Sequence, residues 1–230
     1  DFVFTVKRDP ALAAKYGPAA DRFLTELEAI VVDANENFVT SGTMGYYTDP
    51  AWGDKRPAPL NMSNAMGSVI VQLYRITNKA EHKEQATKLA NFFRASLRSN
   101  EHGHSWNWAY WPKNPADPIE RGEDISHAAI NVDFAARCYH AGIVFNQKDM
   151  EQFAGTWMTR VRHLTSPGYA DFVDGTESPS VNYIPQAAGR WLPVITCVTP
   201  HMVRLYLDSI TPAFAGQKID MASQGLGLAY

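Results

Sequence analysis

Residues 61–77, NMSNAMGSVIVQLYRIT, place Met62, Ala65, Met66, Val69, Ile70 and Leu73 three and four positions apart, the spacing of one apolar face on an α-helix. A strand would alternate every second residue, and this stretch does not. The spacing predicts a helix over 61–77. After the turn TNK, the stripe Ala86, Leu89, Ala90, Phe93 and Leu97 predicts a second helix over 81–98. So short a connection makes the two an antiparallel hairpin.

The same reading extends along the chain. Beyond the Pro-rich stretch PKNPADPIERG, Ile125, Ala128, Ala129, Val132, Ala135, Ala136 and Tyr139 predict a helix over 124–142. Met150, Phe153, Ala154, Trp157, Met158, Val161 and Leu164 predict its partner over 148–164, closed by SPG. A further helix is expected over 193–210 and an opening one over 18–34. No segment sustains period two, so the fold class is all-α, a stack of antiparallel helical hairpins. Long connections remain at 35–60, 99–122 and 165–192, too rich in Trp, Tyr and His to be disordered. Connections of that length in a compact domain usually carry function.

Composition narrows the function classes. With 230 residues, 45% of them apolar and 20% charged, the chain reads as one globular domain over 1–230. A net charge of -3 supplies no basic field for a nucleic-acid backbone. No apolar run approaches the roughly 18 to 20 residues that span a bilayer. Cys138 and Cys197 have neither zinc-ligand spacing nor a disulfide framework, so no metal is expected and their pairing stays open. The absence of GxSxG, GxGxxG, HExxH, Walker and kinase motifs sets aside the commonest hydrolase, nucleotide and metallopeptidase chemistries.

Three segments carry candidate chemistry. Residues 102–115, HGHSWNWAYWPKNP, hold Trp106, Trp108 and Trp111 with Tyr110. Such rings either cap the core or offer flat faces to sugar rings. In GEDISHAAINVDF, Asp124, His127 and Asn131 are spaced three and four apart and share one helix stripe. FVDGTESPSVNYIPQAAGRW adds Asp174, Asn182, Tyr183 and Arg190 in a stretch whose Gly and Pro content argues against a helix. Asn61 and Asn64 read as caps at the start of their helix.

Taken in order, LNMSNAMGSVIVQLYRIT, SWNWAYWP, GEDISHAAINVDF and NYIPQAAGRWLP resemble the α/α-toroid polysaccharide lyases that cleave uronate polymers such as glucuronan and alginate, most closely polysaccharide lyase family 38. The likeness spans about residues 58–210. A full ring of this kind needs more hairpins than 230 residues hold. The resemblance therefore implies an incomplete toroid whose N-terminal part is missing or supplied by another chain.

The activity it implies is metal-independent β-elimination without a cofactor, acting on an anionic polysaccharide. That substrate implies a secreted or periplasmic mature chain, with neither nucleic acid nor membrane as partner. Tyr183 is then the expected acid, His127 the base or carboxylate neutraliser, and Arg190 a carboxylate binder alongside Asn61 or Asn64. Trp106, Trp108, Tyr110, Trp111, Glu123, Asn131 and Asn182 complete the expected substrate contacts, with Tyr110 the substitute acid. Two rival classes stand beside it: a glycoside hydrolase drawing its carboxylate pair from Glu120, Glu123, Asp124 and Asp174, and a non-catalytic carbohydrate-binding protein.

Overall fold

The computed structural model describes residues 1–53, 55–100, 102–113, 117–162, 168–178 and 183–214. In chain order the helices are α1 (Phe2–Arg8), α2 (Pro10–Ala34), α3 (Leu60–Thr77), α4 (Ala80–Ser96), α5 (Ile125–His140), α6 (Gln147–Thr156), α7 (Ile184–Thr196) and α8 (Pro200–Phe214). Two short antiparallel hairpins accompany them, β1 (Phe38–Ser41) with β2 (Met44–Tyr47) and β3 (Arg98–Ser99) with β4 (Trp106–Asn107). The all-α class holds.

Local chemistry sets the helix ends. Asn78 closes α3 in the left-handed region (φ 56°), a conformation Asn tolerates better than most residues, and α4 restarts two residues later. Asp124 accepts from the backbone of Ser126 and His127 and so caps α5. Asn146 and Asp149 form a reciprocal capping box on α6. At its far end α6 continues as a π-helical turn, Trp157–Val161.

Helices α3, α5 and α7 lie side by side and parallel. Asn64 of α3 bonds Asn131 of α5, and three residues further along both helices Gly67 faces Phe134. Trp191 of α7 donates to the carbonyl of Ile125 at the start of α5, while Cys197 at the end of α7 lies 3.5 Å from His140 at the end of α5. The returning helices α4, α6 and α8 form a second layer. Between the layers run the buried rings Phe93, Trp108, Trp191, Trp157 and Tyr206, successive centroids 5.0 to 6.4 Å apart. Fully burying the Phe93 side chain is worth about 1.5–3 kcal/mol.

Three expectations need correction. The 193–210 helix is two helices broken at 197–199, and α7 begins at Ile184 inside the segment read as non-helical. The opening helix starts at Pro10, capped by Asp9, and carries Pro18 within it. Asn61 and Asn64 do not cap α3, because the cap position is Pro59 and no side chain caps that end.

The aromatic connection is pressed against α6 at Gly155, where an added Cβ would collide with the backbone oxygen of His104. Gly155→Ala is expected to destabilise the fold by about 1–3 kcal/mol. A lower denaturation midpoint at unchanged slope is the readout. A midpoint equal to the parent's would show that the connection yields freely.

Candidate functional site

The starts of the three parallel helices are tied together. The amide of Ile125 donates to the Asp171 carbonyl (2.9 Å), and the Asp171 carboxylate accepts from the amide of Tyr183 (3.4 Å), joining the starts of α5 and α7. Leu60 at the start of α3 donates to the Tyr110 carbonyl (3.1 Å), and Glu123 donates its amide to the Trp108 carbonyl (2.9 Å). The aromatic connection thus straps α3 to the approach of α5.

At this end Tyr110 meets His127 edge to face, ring centroids 5.2 Å apart. Trp111, 40% exposed, stands edge-on to Tyr110 at 5.7 Å. His127 Nδ1 lies 2.5 Å from Asp124 Oδ2. Burial alone would raise the Asp124 carboxyl, yet hydrogen bonds from the His127 ring, the Ser126 hydroxyl and the His127 amide outweigh it and hold the group below its ordinary value. An ionised Asp124 accepts from Nδ1, so that in the neutral form of the ring the lone pair is on Nε2. Burial first, then the Glu123 and Asp124 carboxyls, raises the Tyr110 phenol, so it keeps its proton well into alkaline conditions.

Beneath this pair runs a chain of buried polar groups. Asn64 Nδ2 donates to Asn131 Oδ1 (2.7 Å), and Asn131 Nδ2 and Trp108 Nε1 both donate to Glu123 Oε2 (2.5 Å each). Asn64, Asn131, Trp108 and Glu123 are all buried. Asn61 is buried too, and its Oδ1 has no partner among the described residues.

The other expected residues scatter. Trp108 is a core ring whose polar edge holds Glu123, so it offers no sugar platform. Trp106 is half-buried against the core, its amide and carbonyl both bonded to Thr156 Oγ1. Tyr183 sits at the same end as His127, its ring edge-on to Phe172 at 6.2 Å. Arg190 lies seven positions further into α7, about 10 Å along the axis. It lines a cavity of about 530 Å³ with Ala65, Ser68, Ile130, Asp133 and Arg137. Asn182 lies outside the described residues. Sequence reasoning missed Asp171, whose joining role depends on partners 46 positions before it and 12 after it (125 and 183), a signal no local pattern carries.

Among the described residues no group of three His, Cys, Asp or Glu is arranged to hold a metal ion. No described helix is long and apolar enough to cross a membrane. What the site offers is an oriented imidazole, a protonated phenol beside it, an exposed indole above and buried amides below. Compared with known proteins, no family model, no curated protein and no solved structure matches this chain.

Proposed function

We propose that this chain is part of an α/α-toroid polysaccharide lyase that cleaves a uronic-acid polymer by β-elimination. The observation that carries the reading is the contact between Tyr110 and an Asp124-oriented His127 at the joined helix starts. His127 Nε2 takes the proton from C5 of the uronate. The electron pair of that C–H bond forms the C4–C5 double bond as the C4–O4 bond breaks, and the Tyr110 hydroxyl protonates the departing O4. The Asn61 and Asn64 amides, on the helix whose first amide bonds the Tyr110 carbonyl, are assigned to the uronate carboxylate, where hydrogen bonds would stabilise the enolate-like intermediate. Trp111 offers its exposed face to a neighbouring sugar ring. Tyr110 takes precedence over Tyr183 as acid because its ring touches His127, whereas the ring contact of Tyr183 is with Phe172.

A hydrolase reading is less favoured. Asp124 is engaged by His127 and the α5 backbone, Asp174 by Gly122 and Thr176, and Glu123 is fully buried. Of the four carboxylates considered, that leaves Glu120 exposed and without a partner for a two-carboxylate mechanism.

Incubation with glucuronan, polymannuronate, polyguluronate and neutral glycans under an ultraviolet absorbance trace tests the proposal. The new double bond is expected to raise absorbance with at least one uronate polymer. Reducing ends appearing without absorbance would replace the lyase by a hydrolase. Binding without either would leave a carbohydrate-binding protein.

A further inference from the structure

Glu123 is fully buried, and its backbone is pinned on both sides, its amide to the Trp108 carbonyl and its carbonyl to the amide of Val173. Both donors to its side chain, Trp108 Nε1 and Asn131 Nδ2, are neutral and converge on Oε2. Oε1 is buried and has no partner among the described residues. A carboxylate stripped of water needs a cation or several strong donors, and this one has two neutral donors on a single oxygen. A neutral acid suits the geometry better than an anion: Oε2 is a carbonyl oxygen accepting twice, and a partnerless hydroxyl on Oε1 costs far less to bury than a partnerless charged oxygen.

The surrounding charges agree. On its own segment stands Asp124, a like charge paired with His127. From the aromatic connection comes the Tyr110 phenol, and from α3 and α5 the uncharged Asn64 and Asn131. Asp174 is turned to the amide of Gly122, and Arg121 lies over the Phe172 ring, 3.7 Å from its centroid. Burial, ahead of every other influence, pushes the Glu123 carboxyl well above its ordinary value.

The acid also gives the amide chain its direction. Because Oε2 accepts from Asn131 Nδ2, Asn131 must turn its carbonyl to Asn64, whose Nδ2 answers it. Asn64 is one turn from Asn61 on α3. We propose that Glu123 is a buried neutral acid acting as a positioning residue, aligning Asn131 and Asn64 so that the site receives a uronate carboxylate with uncharged donors only while Glu123 keeps its proton. This rests on the lyase reading for the identity of the anion. Ionisation of Glu123 would place a negative charge directly beneath a ligand of the same sign.

Glu123→Gln copies the neutral acid, with an amide N–H in place of the hydroxyl. Thermal unfolding from about pH 3.5, below the unfolded glutamate value of about 4.3, to about pH 9 reads the proton directly. The folded chain binds it more tightly than the unfolded chain, so parental stability falls as pH rises from the unfolded value toward the folded one. The parent and Glu123→Gln are expected to match at the acid end and to diverge with rising pH, the variant melting higher. A parent that instead gains on the variant with rising pH overturns the proposal.

Should Glu123→Gln fail to fold, infrared spectra of the parent with carboxyl-labelled glutamate at neutral pH decide. A protonated carboxyl band supports the neutral acid, and carboxylate bands alone reject it.

Turnover on glucuronan or polymannuronate supplies the positioning readout. Parental activity is expected to fall about tenfold per pH unit above the folded value of Glu123. Glu123→Gln should remove that fall, and Glu123→Ala should lose activity at every pH. An alkaline fall that persists in Glu123→Gln rejects the positioning role. If the parent turns over no uronate polymer, the lyase reading fails while the unfolding and infrared results still judge the neutral acid.

Discussion

Tyr110→Phe is expected to lower turnover on the preferred uronate polymer by about 100-fold or more while leaving the fold within about 1 kcal/mol of the parent. The substitution removes one hydroxyl and keeps the ring that packs edge-on against both His127 and Trp111. That hydroxyl makes no hydrogen bond among the described residues, so no buried partner is stranded by its loss. Burial, with the ionised Asp124 nearby, keeps the phenol protonated and makes it a loaded acid across the working range and a poor base. Substrate affinity should survive, because the asparagines remain. Tyr183→Phe is the control, expected to cost much less. The reverse ranking of the two variants would transfer the acid to Tyr183.

The second large effect belongs to Asp124→Asn. Asparagine is as good a helix cap as aspartate, so its side-chain oxygen can still accept from the amides of Ser126 and His127. What changes is the group facing His127 Nδ1: an amide N–H there favours the tautomer with the proton on Nε2, which removes the base. Turnover is expected to fall about 100- to 10,000-fold with α5 intact. Circular dichroism and a kcat measurement check the two halves separately.

Acid stability supplies a further readout for the same variant. A carboxyl held below its ordinary value contributes stability that is present above the unfolded value of about 3.9 and is lost as pH falls through the folded value. Part of the parent's loss of stability on acidification should therefore be missing from Asp124→Asn. Equal acid sensitivity would show that the Asp124–His127 bond contributes little to folding.

The hairpins α3–α4 and α5–α6 were legible because each buries one stripe of a regular helix, and apolar spacing encodes that directly. Helix α7 was not, because Pro185, Gly189 and Pro193 read as breakers. Pro185 falls in the first turn, where a missing N–H costs nothing, and tertiary burial of Trp191, Val194 and Ile195 holds the rest.

The candidate site was legible as residue types and opaque as geometry. Asp124 and His127 share a turn, so their pairing follows from spacing of three. Asn64 and Asn131 are 67 positions apart, and only the packing of two parallel helices brings them together. Glu123, flanked by Gly122 and Asp124, carries no local sign of full burial.

The parallel run of α3, α5 and α7 has an electrostatic consequence. Each helix carries roughly half a positive charge at its N-terminus, and parallel packing points all three ends toward the same side. Two of these ends are already answered by carboxylates, Asp124 on the amides of α5 and Asp171 on the amide of Tyr183 at the start of α7. The end of α3 has neither a side-chain cap nor an acidic residue in its first turn. At the corner where Asn61 sits that partial charge is met by the Tyr110 carbonyl and by no side-chain cap, and under the lyase proposal it would draw a polyanion to a chain of net charge -3. Such a field is screened beyond about 8 Å at physiological ionic strength, so added salt should slow capture of the polymer more than it slows the bond-breaking step.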